Sequence, residues 1–343
     1  MDMKTLRDQA RTKLKPFCRV CPVCDGSSCA GEVPGMGGLG TGSAFKANLE
    51  ALAAYRLNMR TIHAVIEPDT KVSILGLELA APIIGAPITG NVYNMGGALS
   101  EQVWAETVVK GCRDAGSIAG IGDGADPGMY ISGLNSISDN EGWGIAFIKP
   151  RDNEEIIKRI QAAEEAGARA VGVDVDGAGL STMALKGQPV GPKTPAELKT
   201  LVNCTKLPFI VKGIMTVEEA ELAVEAGAAA IVVSNHGGRV LDYTPGTAEV
   251  LPEIAKRVGK SVPVLADGGV RSGTDVLKML ALGASAVLVG RPLVTGAYGG
   301  GPEGVKLVLD MMTNELRQAM ILTGCASAAK VPQGILFKKN NYG

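Results

Sequence analysis

The densest chemistry in the chain lies in Ser234-Asn235-His236-Gly237-Gly238-Arg239, where one of only two histidines sits beside glycines and an arginine. A lone histidine is more often structural than catalytic, but the flanking glycines and nearby Arg239 favour a general base here. The other, His63 in Arg60-Thr61-Ile62-His63-Ala64-Val65, has no polar company and is assigned no role. Two further runs, Asp267-Gly268-Gly269-Val270-Arg271 and Gly290-Arg291-Pro292, pair glycine with arginine. Glycine lets backbone N–H groups approach an anion and arginine adds charge-assisted hydrogen bonds, so the runs read as a phosphate site rather than as turns with surface arginines. Lys212 closes the apolar run Phe209-Ile210-Val211. Burying an ammonium alone is expensive, so beside a phosphate site it suggests a cation that stabilises negative charge on a cofactor. Asp174 and Asp176 close another apolar run.

Such residues need a scaffold that brings them to one place. From about residue 80, short β-branched runs alternate with turns and amphipathic helical segments, the rhythm of parallel strands with helical crossovers. Strands are expected at Ala81–Ala86, Ser117–Ile121, Gly144–Lys149, Ala170–Val175, Phe209–Gly213, Ala230–Ser234, Val262–Asp267 and Ala286–Gly290. Eight such strands predict an α/β fold, a closed (β/α)8 TIM barrel, because right-handed crossovers then bury both faces and leave no edge. The polar residues above all fall at the C-terminal ends of strands 4 to 8, where a barrel builds its active site, and the loops after strands 7 and 8 are the usual phosphate position. Helix signals fit: Thr216 precedes Val217-Glu218-Glu219-Ala220 as a cap, with Glu219 placed for a capping box and Gly227 for the helix end.

Residues 1–75 lie outside the rhythm and are expected to form an N-terminal extension, with a helix from Ser43 to about Arg56, packed on a barrel of residues 76–343. Gly35-Met36-Gly37-Gly38-Leu39-Gly40 matches a dinucleotide fingerprint as a string but has no preceding strand and no acidic residue about twenty positions on, so that reading is set aside.

The 46% hydrophobic content suffices for a large core, and a net charge of -1 gives no reason to expect nucleic acid or an acidic membrane as partner. No signal-like start and no run of about 18 apolar residues is present, so a cytoplasmic protein acting on a small molecule is expected.

With its continuation Val240-Leu241-Asp242, the histidine motif closely resembles the active-site signature of the FMN-dependent 2-hydroxy-acid oxidase and dehydrogenase family, which includes glycolate and lactate oxidases. The resemblance runs from about Val72 to Ala326 and takes in Val211-Lys212-Gly213-Ile214, Leu265 to Asp275, and Val289-Gly290-Arg291-Pro292. It implies that His236 removes the substrate hydroxyl proton, that Asp176 orients that histidine, and that Arg239 clamps the substrate carboxylate. It also implies that Lys212 stands beside the N1–C2=O edge of FMN, and that Ala86, Pro87, Thr89 and Ser234 touch the flavin. Asp267, Gly268, Gly269, Arg271, Gly290 and Arg291 resemble the ribityl and phosphate contacts. A hydroxyl substrate, reoxidation by oxygen or an electron carrier, and a homo-oligomer follow from the same resemblance. Two other readings stand beside it: an isomerase of the type 2 isopentenyl-diphosphate kind, which lacks this histidine motif, and a non-catalytic flavin-binding protein.

The chain also departs from the family. Strand 3 reads Ala146-Phe147-Ile148-Lys149 where small hydroxy acids are usually met by Gln and Tyr, no arginine follows the strand 4 aspartates, and the N-terminal substrate Tyr is missing. Each charged hydrogen bond is worth roughly 1.5–3 kcal/mol, so a lactate-sized substrate should be held more weakly. A bulkier or differently charged substrate is expected.

Four of the seven cysteines, Cys18, Cys21, Cys24 and Cys29, fall outside the resemblance. Their spacing could close on an iron–sulfur cluster, with Pro22 and Gly26 turning the chain around it, or on a structural zinc; the third reading is a loop of free thiols. A cluster could carry electrons from flavin to a protein acceptor.

Overall fold

In a computed structural model, which describes residues 1–338, all eight expected strands are present. They are β1 (Ile83–Gly85), β2 (Ala119–Gly122), β3 (Gly144–Ile148), β4 (Ala170–Asp174), β5 (Phe209–Ile214), β6 (Ala230–Val233), β7 (Val264–Ala266) and β8 (Ala286–Val289). Each pairs in parallel with its chain neighbour, and β8 closes on β1 through Val287 opposite Ile83, so the sheet is a barrel without edges. Every residue of these strands is buried, the pattern of strands covered on both faces. The polar residues expected on the last position of several strands lie just beyond them, where the chain turns out of the ladder.

The crossover helices begin where their caps predict. Thr216 Oγ1 accepts from the Glu219 N–H at 3.2 Å, and Ser272 and Asp275 form a reciprocal capping box before Gly273–Ala281. The last helical segment, Arg291–Thr323, breaks at Gly301, where φ is 62° and ψ −149°, and Pro302 starts its second part.

The N-terminal residues wrap the barrel. Helix α1 (Met3–Leu14) buries Leu6, Ala10 and Leu14, and Leu6 lies against Gly299 of the last helical segment. Helix α2 (Ser43–Ala53) ends earlier than expected, because Tyr55–Leu57 instead pairs as an antiparallel strand with Leu336–Lys338. α2 packs against the loops after β6 and β7, with buried Phe45 beside Gly238 and buried Asn48 beside Gly268.

Candidate active site

Among the described residues, one cleft at the C-terminal end of the barrel gathers most of the predicted site: Ala86, Pro87, Thr89, Lys212, His236, Arg239, Asp267, Gly268, Gly269, Arg271, Gly290 and Arg291. Asp176 and Ser234 stand behind this lining and hold it in place.

His236 adopts φ 56°, a left-handed conformation that costs a non-glycine residue roughly 1–2 kcal/mol. Its N–H donates to Ser234 Oγ at 3.0 Å, and that hydroxyl donates to Asp267 Oδ2 at 2.9 Å, which fixes the backbone in this shape. Nδ1 lies 3.1 Å from both carboxylate oxygens of Asp176. With the proton on Nδ1 shared with the carboxylate, the lone pair is left on Nε2, the tautomer a general base needs. Asp176 can occupy its place only because β5 bulges at Gly213: φ there is 106°, and a Cβ would fall 2.5 Å from the Asp176 Cγ.

Lys212 Nζ sits 3.1 Å from Asp174 Oδ1 and 3.8 Å from Asp267 Oδ2, while Lys149 Nζ donates to Asp174 Oδ2 at 2.7 Å. Burial alone would pull the Lys212 pKa down, but Asp174, Asp176 and Asp267 more than reverse this and raise it, so the ammonium stays charged. Burial pushes Asp174 up, yet Lys149 and Lys212 outweigh it and hold the carboxyl well below its ordinary range. At Asp267 burial wins over Lys212 and the pKa is raised.

The arginines form the third part. Arg291 lies 4.0 Å over the Phe45 ring and donates to the carbonyls of Met36, Gly37 and Gly237. Arg239 donates to Gly35 O at 2.6 Å, Gly37 O at 3.1 Å and Asn94 Oδ1 at 3.0 Å. The glycine-rich loop of residues 35–40 therefore turns carbonyl oxygens toward cations, the opposite polarity to a dinucleotide loop. Burial and the neighbouring Arg271 and Arg239 lower the Arg291 pKa to about 9, so three guanidinium groups crowd one wall. Among the described residues, Arg271 Nε is buried without a hydrogen-bond partner, as is Asp267 Oδ1. A crowded cationic wall with an unsatisfied donor fits a phosphate monoester, and the buried Lys212 fits an anionic edge of the same molecule.

Asp174, Asp176 and His236 bring ligand atoms within 4.8 Å of one another, but Lys149 and Lys212 already neutralise Asp174 and work against a metal cation. The four N-terminal cysteines are unbonded and half-buried, and no three of their sulfurs lie within 4.8 Å of one another.

Three contributors escaped the sequence reading. Asn48 donates to Asn235 Oδ1 at 2.8 Å and accepts from the Thr247 N–H at 3.0 Å, Phe45 supports two arginines, and Asp123 holds Arg151 at 2.8 Å beneath the cleft. Only the helical period around Asn48, which places it on the buried face of α2, could have pointed to it.

The sequence pattern of the FMN-dependent dehydrogenase family matches residues 35–187 and 182–338, nearly the whole barrel and the loop before it. The chain belongs to that family. A 2-hydroxyacid oxidase of Dictyostelium discoideum is 35% identical over 86% of this chain and 82% of its own length. A peroxisomal (S)-2-hydroxyacid oxidase of Arabidopsis thaliana is also 35% identical, over 81% of this chain and 84% of its own. Among solved structures, a mandelate oxidase superposes with a TM-score of 0.80 at 30% identity, covering 98% of this chain and 97% of that one. FMN is thus the phosphate monoester that the cleft of this FMN-dependent dehydrogenase fits.

The turn at Gly268, expected to meet the phosphate, has little room to change. At Gly268, φ is 91° and a Cβ would stand 2.5 Å from Asn48 Oδ1 and 2.6 Å from Thr247 Oγ1. Gly268→Ala is expected to cost about 1–3 kcal/mol of stability and to weaken FMN retention, read by thermal melting and by flavin content after gel filtration. Unchanged values in both would show that the turn does not touch the cofactor.

Proposed function

We propose that this FMN-dependent dehydrogenase oxidises a 2-hydroxy acid, with His236 as the base that takes the hydroxyl proton. The observation that carries this reading is the Asp176 carboxylate at 3.1 Å from His236 Nδ1, which orients the imidazole and stabilises it once protonated. FMN, when bound, supplies the acceptor for the hydride from the carbon that bears the hydroxyl. With FMN bound, Lys212 would keep positive charge beside it, and Gly268, Gly269, Arg271, Gly290 and Arg291, which line the same cleft, would hold its phosphate. Ala86, Pro87 and Thr89 line the wall expected to meet the ring, and Ser234 steadies both His236 and Asp267. Arg239, fixed by the carbonyls of Gly35 and Gly37, meets the substrate carboxylate with its remaining face.

The related proteins reported above are oxidases, which favours oxidation over the isomerase and non-catalytic readings. Substrate-dependent bleaching of the flavin without oxygen separates them: a hydroxy acid that bleaches it supports the oxidase, and a flavin that no hydroxy acid reduces removes the reading. Oxygen or an electron carrier would serve as the final electron acceptor. A homo-oligomer is part of the same proposal, as is the division into an extension of residues 1–75 and a barrel of residues 76–343. Among the described residues no helix is long and apolar enough to cross a membrane, and we place the protein in the cytoplasm, although the Arabidopsis relative is peroxisomal.

The cleft favours a substrate larger than glycolate. Where the family's strand 3 donors are missing, Lys149 is committed to Asp174, and the exposed Lys186 sits 5.0 Å from the Tyr93 ring centroid at the rim. A hydroxy acid with a larger side chain is expected to reduce the flavin at least about tenfold faster than glycolate at equal concentration, since a single lost charged hydrogen bond amounts to that factor or more. Fast reduction by micromolar glycolate would instead assign Lys149 or Lys186 to its carboxylate.

A further inference from the structure

The cysteine segment before the barrel has no part in the chemistry above, yet the fold invests several contacts in shaping it. Arg7 of α1 donates to the carbonyls of Val20 and Cys21, and Arg11 donates to those of Arg19 and Val20. Arg19 grips Glu32 through two hydrogen bonds of 2.7 and 2.8 Å, and Gly31 N–H donates to Gly38 O at 3.0 Å, so the loop is tied at both ends. It is therefore a held loop and not a loose tail.

Within that frame the four thiols are electrostatic neighbours. Cys18 feels the charges of Cys24 and Cys21, and Cys29 feels those of Cys24 and Cys18. Both lie near Arg291: Gly26 packs against the Phe45 ring that Arg291 covers at 4.0 Å, Gly37, whose carbonyl Arg291 binds, packs against the Cys29 carbonyl, and none of the four is in a disulfide. All four are only partly exposed, which is costly space to spend on unrelated thiols in one twelve-residue stretch.

The cysteine pattern along the chain suits a cluster better than a single zinc. A tetrahedral zinc with Zn–S bonds of about 2.3 Å draws its sulfurs to within about 3.8 Å of each other. No three of these sulfurs come within 4.8 Å. A four-iron cube takes each thiolate on a different iron and so needs a wider ring. The first three cysteines repeat the C-x2-C-x2-C arrangement by which such clusters are held, and Cys29 follows after a turn at Gly26, where φ is 81°. Arg291 adds positive charge on the side where a cluster with four thiolates is negative.

We propose that Cys18, Cys21, Cys24 and Cys29 are the ligands of one [4Fe–4S] cluster, seated beside Arg291 on the phosphate side of the flavin cleft. The site is separate from the flavin chemistry and stands or falls independently of it.

The test uses the full chain, purified without oxygen or chelator and then incubated with ferrous iron and sulfide under the same conditions. Iron, sulfide, zinc and FMN are measured on the same sample. About four irons and four sulfides per chain are expected, with visible absorbance beyond that of the flavin that dithionite bleaches. Cys24→Ser combined with Cys29→Ser should lose the iron but keep its FMN, whereas Cys204→Ser, away from the segment, should keep both. Flavin content reports whether each variant folds, and the iron count of the unaltered protein needs no variant. Less than one iron per chain in FMN-loaded protein, one zinc in place of iron, or full iron in the double variant each overturns the proposal.

Discussion

Flavin reduction by substrate should slow by about a hundredfold to ten-thousandfold in His236→Gln, the range expected when a positioned base is removed from a proton transfer. FMN content should stay close to that of the unaltered protein. The two outcomes separate because His236 and the phosphate turn are different parts of the cleft: the imidazole is held by Asp176, while Arg271, Arg291 and the Gly268-Gly269 backbone stand on neighbouring strand ends. Glutamine preserves much of the side-chain volume and can still hydrogen-bond Asp176, but it has no basic nitrogen. The measurement is anaerobic stopped-flow at the flavin absorbance, with saturating substrate, so that weakened binding is not mistaken for slowed chemistry. Equal limiting rates in the two proteins would falsify the assignment of His236 as the base.

Lys212→Met should act in a different way, on both stability and the flavin potential. The lysine lies between two buried carboxylates, 3.1 Å from Asp174 and 3.8 Å from Asp267. Among the described residues, removing it leaves Lys149 as the one salt-bridge partner of Asp174 and leaves Asp267 with no lysine or arginine salt bridge, and breaking one side of such a buried pair costs about 3–5 kcal/mol. The carboxyls must then titrate higher than before, most of all Asp267, whose pKa burial already raises. A carboxyl whose folded pKa stands above its unfolded value favours folding once protonated, so its cost is felt at neutral pH and relieved in acid. The deficit of Lys212→Met relative to the unaltered protein should therefore narrow as pH falls from 7 toward the ordinary aspartate value of about 4. Urea titrations at several pH values read this, and a deficit independent of pH would mean that the lysine contributes packing and no charge. The flavin should also become harder to reduce, because the variant lacks the cation that favours the anionic reduced form. An unchanged midpoint potential in folded, FMN-loaded Lys212→Met would place the lysine away from the ring.

Much of this protein is written locally. The eight strands are legible because a strand buried on both faces must be a short apolar run, and the crossover between two parallel strands must be long enough to read as a helix. The strand-end residues are legible for the same reason: Lys212 directly follows an apolar run, and His236 and Arg271 come within a few residues of the end of one, at the one place where a barrel tolerates charge. Asp176 as the partner of His236 goes further, since Asp174 two residues earlier is equally acidic. Tertiary structure separates the two, because strand geometry turns Asp174 toward Lys149 and Lys212, while the short turn after β4 carries Asp176 across the bulge at Gly213.

What the sequence could not announce is everything that depends on distant segments meeting. Tyr55–Leu57 reads as the tail of a helix until Leu336–Lys338 arrives to pair with it. The glycine-rich loop of residues 35–40 has a dinucleotide-like string that its context already sets aside, but what the loop does instead appears only when Arg239 and Arg291, some two hundred residues on, meet its carbonyls. Asn48 looks like an ordinary polar helix residue until the fold buries it between Asn235 and Thr247. Local periodicity encodes backbone conformation and which face is apolar, but a hydrogen bond between segments far apart in the chain leaves no period behind. Its partners become identifiable only when the barrel closes and sets both at the same rim.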